Sequence, residues 1–260
     1  MSMNHETIRS LGDELWACLQ DRRTMGPITE RYPDMTIDDA YQINLHLRAL
    51  RAARGDRLVG KKIGVTSFAV QDMLGVDQPD FGFLFDTMAY THEMPISQKL
   101  IQPRAEGELA FVLNRDLQGP GVTDADVLAA TQSVVPCFEV VDSRIADWTI
   151  KIQDTVADNA SCGLYILGEP VAPDGLDFPN LQMTVFKNGE ILSQGKGSAA
   201  LESPVKCVTW LANTLGRYGI PLEAGDLILS GSWVPLEPVQ AGDEMRLEIG
   251  GVGACDVRFT

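Results

Sequence analysis

The segment RAEGELAFVLN, residues 104–114, constrains the fold more than any other stretch of the chain. Alternate residues of a strand point to opposite faces. One face then carries Glu106, Glu108, Ala110 and Val112, and the other Leu109, Phe111 and Leu113. A strand apolar on both faces is covered on both faces, so the pattern predicts a sheet with material packed on each side. It also puts two carboxylates, separated only by Gly107, at the end of a buried strand. Carboxylates in that position need protons, cationic partners or a metal. Glu139 meets the same problem between Phe138 and Val140 in VVPCFEVVDS. Three carboxylates form an oxygen-ligand set, better suited to Mg²⁺ or Mn²⁺ than to zinc. An E-x-E pair also fits a solvated strand face. The apolar continuation and the third glutamate speak for the buried site, and both readings stand at this point.

Composition narrows the function classes. A chain of 260 residues can fill one large domain, or one domain with an appendage. Its net charge of −15 argues against nucleic acid and against anionic membrane surfaces. A small anionic substrate stays open, because a bound cation inverts the local field. Five scattered cysteines, with no C-x-x-C, are most simply explained by a reducing, cytoplasmic compartment. His5, His46 and His92 lie far apart, in no metal-binding spacing, and read as surface or packing residues. No secretory signal or membrane-length apolar run is evident.

Organisation follows from periodicity. In HETIRSLGDELWACLQ, Ile8, Leu11, Leu15, Cys18 and Leu19 make a helical stripe. A second helix is capped by Thr36 and ends near Gly55. Residues 1–58 therefore read as an N-terminal helical region, an appendage or lid, and 59–260 as a β-rich core. Strands are predicted in LVGKKIGVTS, RAEGELAFVLN, VVPCFEVVDS, LYILG, DLILSGS and EMRLEIGG, and in LQMTVFKNGE with a turn at Asn188-Gly189. Helices interrupt them, at TDADVLAATQSV with Thr123 as cap and at SPVKCVTWLANTLG with Ser203 as cap and Pro204 at the first position. Gly219 is a natural C-terminal stop. Such an arrangement is α+β rather than an alternation of βαβ units.

Four further words carry candidate chemistry. In GKKIGVTS, Lys62 shares a face with Gly60, Gly64 and Thr66, which leaves room for a ligand. Lys61 shares the packed face and is expected to snorkel or to lie at an edge. Simple exposure of both lysines is the plain alternative. Asp80 sits in the Pro- and Gly-punctuated GVDQPDFGFL, where loop catalysis and simple turn formation compete. QDTVADNASCG, with Asp154, Asp158, Asn159 and Ser161, reads as a ligand-covering loop or as a capped helix end. In LSGSWVP, amides around Gly231 could contact an anion.

These words together resemble the 2-oxopent-4-enoate (2-hydroxypenta-2,4-dienoate) hydratases of aromatic meta-cleavage pathways, members of the fumarylacetoacetate hydrolase superfamily. The resemblance rests on GKKIGVTS, QPDFGFL, IQPRAEGELAFVL, PCFEVVDSRI, KIQDTVADNASCG, SPVKCVTWLANTLG and ILSGSWVPLEPV, in family order over nearly the whole chain. It implies a mixed β-sandwich roll with an N-terminal helical part. It further implies a divalent Mg²⁺ or Mn²⁺ held by Glu106, Glu108 and Glu139, with Lys62, Asp80 and Ser161 at the substrate. The implied reaction adds water at C4 of the dienoate, with proton transfers at C5 and C3, and yields 4-hydroxy-2-oxopentanoate. Homo-oligomers are implied as well, and so is a complex with the pathway's decarboxylase, with which some relatives pair.

Three rivals remain. The 4-oxalocrotonate decarboxylases of the same superfamily share the glutamate words, but the position matching Asp80 tends to be apolar there, which favours hydration here. A carbon–carbon hydrolase would typically need a histidine, and all three histidines fall outside the matched words. A non-catalytic subunit of the decarboxylase would not need the full carboxylate set or Lys62.

Overall fold

A computed structural model describes residues 3–68, 71–72 and 75–260. The N-terminal helix His5–Asp21 buries Ile8, Leu11, Leu15 and Cys18, as its stripe predicts. Thr36 caps the helix Ile37–Arg54 in a capping box with Asp39, and Gly55 ends it in a left-handed conformation. This second helix lies across the strand that follows Pro79. Tyr41 stacks on Phe81 at 4.1 Å, and the guanidiniums of Arg48 and Arg51 sit over Phe83 and Phe85.

The strands are β1 (Leu58–Gly64), β2 (Asp80–Phe85), β3 (Ala89–Tyr90), β4 (Glu93–Met94), β5 (Arg104–Leu113) and β6 (Thr131–Val141). They continue as β7 (Leu164–Leu167), β8 (Gln182–Lys187), β9 (Glu190–Lys196), β10 (Leu227–Leu229), β11 (Glu237–Pro238), β12 (Glu244–Ile249) and β13 (Gly253–Phe259). One sheet runs β2-β1-β10-β5-β6-β7-β3, with β11 added to the start of β5, and the other runs β4-β13-β12-β8-β9. Both are mixed: β1–β10, β3–β7 and β4–β13 are parallel and the remaining pairs antiparallel. The fold is α+β with mixed sheets.

Gly107 shows how the sheets meet. A side chain there would run into Met183 Sδ, 2.8 Å from its Cβ position, and into Val185, both on β8. Gly107 thus faces the second sheet, which leaves Glu106 and Glu108 on the opposite face. The helix Pro204–Gly216 packs its stripe of Val205, Val208, Leu211 and Leu215 into the core. It stops three residues before Gly219, which takes the expected left-handed conformation in the turn beyond. The hairpin β8–β9 turns at Asn188-Gly189, both with positive φ, the geometry that a two-residue turn requires.

Three expectations need correction. The helix capped by Thr123 stops at Ala130, and the TQSV expected to continue it opens β6. Lys61 neither snorkels nor sits at an edge: β1 is an interior strand, Lys61 is 1% exposed, and its ammonium pairs with Asp226 just before β10. Asp80 is not in a loop: it opens β2, opposite Gly64 of β1, and is 1% exposed.

Candidate metal centre and its cavity

Register brings the glutamates together. Glu106 of β5 lies directly opposite Glu139 of β6, and Glu108 follows on the same face. One carboxylate oxygen from each of Glu106, Glu108 and Glu139 lies within 4.8 Å of the others. Glu108 and Glu139 are fully buried, and Glu106 is partly exposed to a cavity. Gly231 N–H donates to Glu108 Oε2 at 2.8 Å. The amide expected to meet an anion therefore meets one belonging to the chain itself. Glu108 Oε1 has no hydrogen-bond donor among the described residues, and the two Glu139 oxygens make no well-formed hydrogen bond there, the Lys62 ammonium standing 3.5 Å from Oε2. Buried acceptors left in that state fit a hard cation, which would satisfy them all at once.

The electrostatics point the same way. Burial pushes Glu106 up to about 7 against the pull of Lys62, with Glu139 and Asp80 adding to the rise. Burial and the charges of Glu139 and Glu106 push Glu108 well above the ordinary range. Glu139 is raised by burial too, with Lys62 opposing. The cluster holds more negative charge than its surroundings can neutralise.

Lys62 reaches the cluster from β1. Its Nζ lies 3.5 Å from Glu139 Oε2. Burial alone would lower this ammonium, but Glu139, Asp80 and Glu106 outweigh it and hold Lys62 above its usual range. Gly64 explains how Asp80 joins: a Cβ on Gly64 would overlap Asp80 Oδ1 and lie 3.1 Å from Lys62 Nζ. Both groups thus border the space left by the missing side chain. Asp80 is raised by burial, with Lys62 pulling the other way, and its Oδ1 has no donor among the described residues.

Ser161 arrives on an unusual turn. Asn159, Ala160 and Ser161 all have φ near +50°, a left-handed turn of three non-glycine residues. Asn159 holds one side of it, exchanging hydrogen bonds with Phe83 N and O at 2.8 and 3.0 Å. Buried Arg144 holds the other. Its Nε donates to Asp158 Oδ1 at 2.5 Å, and its terminal nitrogens donate to Asp158 O and Cys162 O. Ser161 Oγ then meets Thr155 Oγ1 at 3.1 Å. Of the polar residues expected in this word, Ser161 lines the cavity. Asp154 is spent on Thr29 and on capping the helix Ile152–Ala157, Asp158 on Arg144, and Asn159 on β2.

Lys62, Asp80, Glu106 and Ser161 open into one cavity of about 370 Å³, walled by Val65, Val141, Ile150 and Leu236. Three further polar or aromatic residues line it that were not among the sequence candidates, Arg104, Trp148 and Thr155. For Arg104 the signal was available, since it lies two residues before Glu106 and therefore on the same face of β5. His46 pairs with Asp13 at 2.8 Å and takes no part in the cluster. All five cysteines are buried and free.

The family model for the fumarylacetoacetate (FAA) hydrolase C-terminal region matches residues 57–260. The chain belongs to the fumarylacetoacetate hydrolase family. Within it, a 2-hydroxyhexa-2,4-dienoate hydratase from Comamonas testosteroni is 56% identical over 257 residues, 97% of each chain. A 2-hydroxypent-2,4-dienoate hydratase from Pseudomonas putida is 62% identical over 221 residues, covering 84% of this chain and all of that one. Among solved structures of the family, 4-oxalocrotonate decarboxylase from Pseudomonas putida G7, complexed with magnesium and adipate, superposes with a TM-score of 0.96 at 34% identity over 99% of both chains. No helix among the described residues is long and apolar enough to cross a membrane.

Proposed function

We propose that this chain is a divalent-metal-dependent hydro-lyase. It adds water to 2-hydroxypenta-2,4-dienoate (2-oxopent-4-enoate) to give 4-hydroxy-2-oxopentanoate in the catabolism of aromatic compounds. The carrying observation is the meeting of Lys62, Asp80 and Glu106 at one cavity, with Glu108 and Glu139 clustered against Glu106, in a chain 56–62% identical to enzymes named as dienoate hydratases. Glu106, Glu108 and Glu139 are the residues that would hold Mg²⁺ or Mn²⁺. Bound there, such an ion supplies Lewis acidity toward the carboxylate and 2-oxygen of the substrate.

The chain's own residues handle protons and water. Lys62, kept as an ammonium, is a donor beside the reacting carbons. Asp80 lacks a donor on Oδ1 and is placed to orient the water that attacks C4 and to take its proton. Ser161 offers a hydroxyl to the substrate from a turn that cannot easily shift, because Arg144 and Asn159 pin both of its sides. The apolar wall accommodates the diene and excludes bulk water. Across the reaction C4 gains the hydroxide of one water, and C5 and C3 each gain a proton. Those two protons are matched by the water's other proton and the one the 2-hydroxyl gives up as it becomes the 2-oxo group.

The cavity lies wholly within the β-rich core and its loops, so we assign the chemistry to residues 59–260, with 1–58 as a helical region over β2. The two sheets together read as the mixed β-sandwich roll of this family. The working form is a soluble cytoplasmic homo-oligomer, and a complex with the pathway's decarboxylase is the partner most in keeping with the decarboxylase fold likeness.

The test is to strip divalent ions, restore Mg²⁺ or Mn²⁺, and follow loss of the conjugated dienol together with appearance of the hydroxy product. Running 4-oxalocrotonate alongside separates hydration from decarboxylation. Metal-independent turnover, or decarboxylation without hydration, would overturn the proposal.

A further inference from the structure

Arg104 and Trp148 form a built feature of the cavity that the chemistry above leaves unused. Arg104, Glu106 and Glu108 share one face of β5, so the guanidinium projects to the same side as the proposed metal ligands. It also lines the same cavity as Lys62, Asp80 and Glu106. No carboxylate pairs with Arg104 among the described residues. Instead its guanidinium carbon lies 4.7 Å from the centre of the Trp148 ring.

Trp148 is held in place at a conformational cost. Asp147 and Trp148 have φ of 56° and 55°, and two successive non-glycine residues in the left-handed region, one a bulky aromatic, are rare. Gln102 imposes this. Its Oε1 accepts from Asp147 N at 2.9 Å, and its backbone oxygen accepts from Trp148 Nε1 at 3.1 Å. Its amide nitrogen donates to Ser143 O and Ile145 O at 2.8 and 2.7 Å, and Asp142 Oδ1 accepts from Gln102 N at 2.7 Å. The ring is thus fixed by a network centred on Gln102, two residues upstream of Arg104, and the guanidinium rests on that ring. The stacked face leaves the guanidinium edge, with its paired N–H donors, for a planar anion.

Charge gives that edge its task. Asp80, Glu106, Glu108 and Glu139 gather at the site beside Lys62, and Arg104 is a further cation that lines the cavity. An anionic substrate entering among so many carboxyl groups needs such a cation.

Resting on the hydratase reading, we infer that Arg104, pre-stacked on Trp148, clamps the C1 carboxylate of the 2-oxo acid and thereby selects 2-oxo carboxylates as substrates. Arg104 is a binding residue in this role, and Trp148 and Gln102 are positioning residues.

The experiment uses Arg104→Gln and Arg104→Lys in the Mn²⁺-loaded protein. Calorimetric titration with 2-oxopentanoate, the saturated analogue with a single carboxylate, reads binding without needing turnover. We expect 2-oxopentanoate to bind about ten- to a hundredfold more weakly to Arg104→Gln, with Arg104→Lys between it and the wild type. Mn²⁺ affinity should be unchanged in both, and KM should rise far more than kcat falls. Wild-type binding of 2-oxopentanoate by Arg104→Gln overturns the clamp, even where binding of a dicarboxylate such as adipate weakens, since that result moves Arg104 to a distal group. Loss of Mn²⁺ binding in Arg104→Lys likewise overturns it. If the wild type binds 2-oxopentanoate through Arg104 but hydrates no dienoate, the hydratase reading fails and the clamp stands.

Discussion

Lys62 Nζ lies 3.5 Å from Glu139 Oε2, so one ammonium touches both the carboxylate cluster and the space shared with Asp80. The same Glu139 is a proposed metal ligand, and ammonium and metal therefore compete for its charge. Replacing Lys62 with Met removes the competitor and the proton donor together. Mn²⁺ should bind Lys62→Met at least as tightly as the wild type, while kcat falls by about 10²–10⁴-fold. Metal titration and steady-state kinetics on one preparation check both halves. Unchanged turnover would remove Lys62 from the mechanism.

The raised carboxyls predict a pH dependence. Glu106 moves from 4.5 to about 7 on folding, and Glu108 and Glu139 rise as well. A carboxyl raised by folding stabilises the metal-free protein most when protonated, below its unfolded value of 4.5, and that contribution is lost as pH rises through about 7. Metal binding has the opposite sign, because the ligands must be deprotonated. The Tm increment produced by saturating Mn²⁺ should therefore grow between about pH 6 and pH 8. In Glu139→Gln the increment should shrink at every pH, with metal affinity down at least about tenfold. An increment that stays flat with pH and survives in Glu139→Gln would sink the ligand assignment.

How far the sequence foretold this site depends on the range of each interaction. Strand parity is local, so the shared face of Glu106 and Glu108, and the choice of Lys62 over Lys61 for the cavity side, were legible. Helix caps at Thr36, Thr123 and Ser203 are equally local, and all three hold. Lys61 was misread because its partner, Asp226, is 165 residues away. Nothing local distinguishes a snorkelling lysine from one buried against a distant carboxylate. The left-handed turn at Asn159–Ser161 was hidden for a similar reason. No glycine marks it, and the forces that impose it come from Arg144 and from the backbone of Phe83. Asp80 looked like a turn residue because Pro79 precedes it, yet strand pairing with Gly64 overrides that signal.

The Lys61–Asp226 pair makes a prediction separate from the chemistry. Lys61 is 1% exposed and Asp226 6%, so removing one partner strands a charge in the core. Asp226→Asn should lose about 3–5 kcal/mol of stability, and the double variant Lys61→Met/Asp226→Asn should regain much of it. Because Lys61 faces away from the cavity, kcat per folded molecule should hardly change in the double variant. Denaturant melts and active-site-normalised kinetics test this, and a single variant as stable as the wild type would show the pair to be dispensable.

On the proposed reading, Asp80 decides which reaction the shared site carries out. There the glutamates and Lys62 would bind a 2-hydroxydienoate and move a proton to C5, whereas addition at C4 also needs a base for water. Asp80→Asn keeps the shape and removes that basicity. The variant should still bind Mn²⁺ within about threefold of the wild type and still convert the dienol to its 2-oxo form. Formation of 4-hydroxy-2-oxopentanoate should fall by about 10²–10⁴-fold. Two signals separate the steps: loss of dienol absorbance reports ketonisation, and chromatography of the hydroxy acid reports hydration. If both steps slow equally, Asp80 serves protonation at carbon rather than water, and the base for hydration must be sought elsewhere in the cavity. If neither slows, Asp80 has no part in the chemistry, and its buried carboxylate at the head of β2 needs a structural explanation instead.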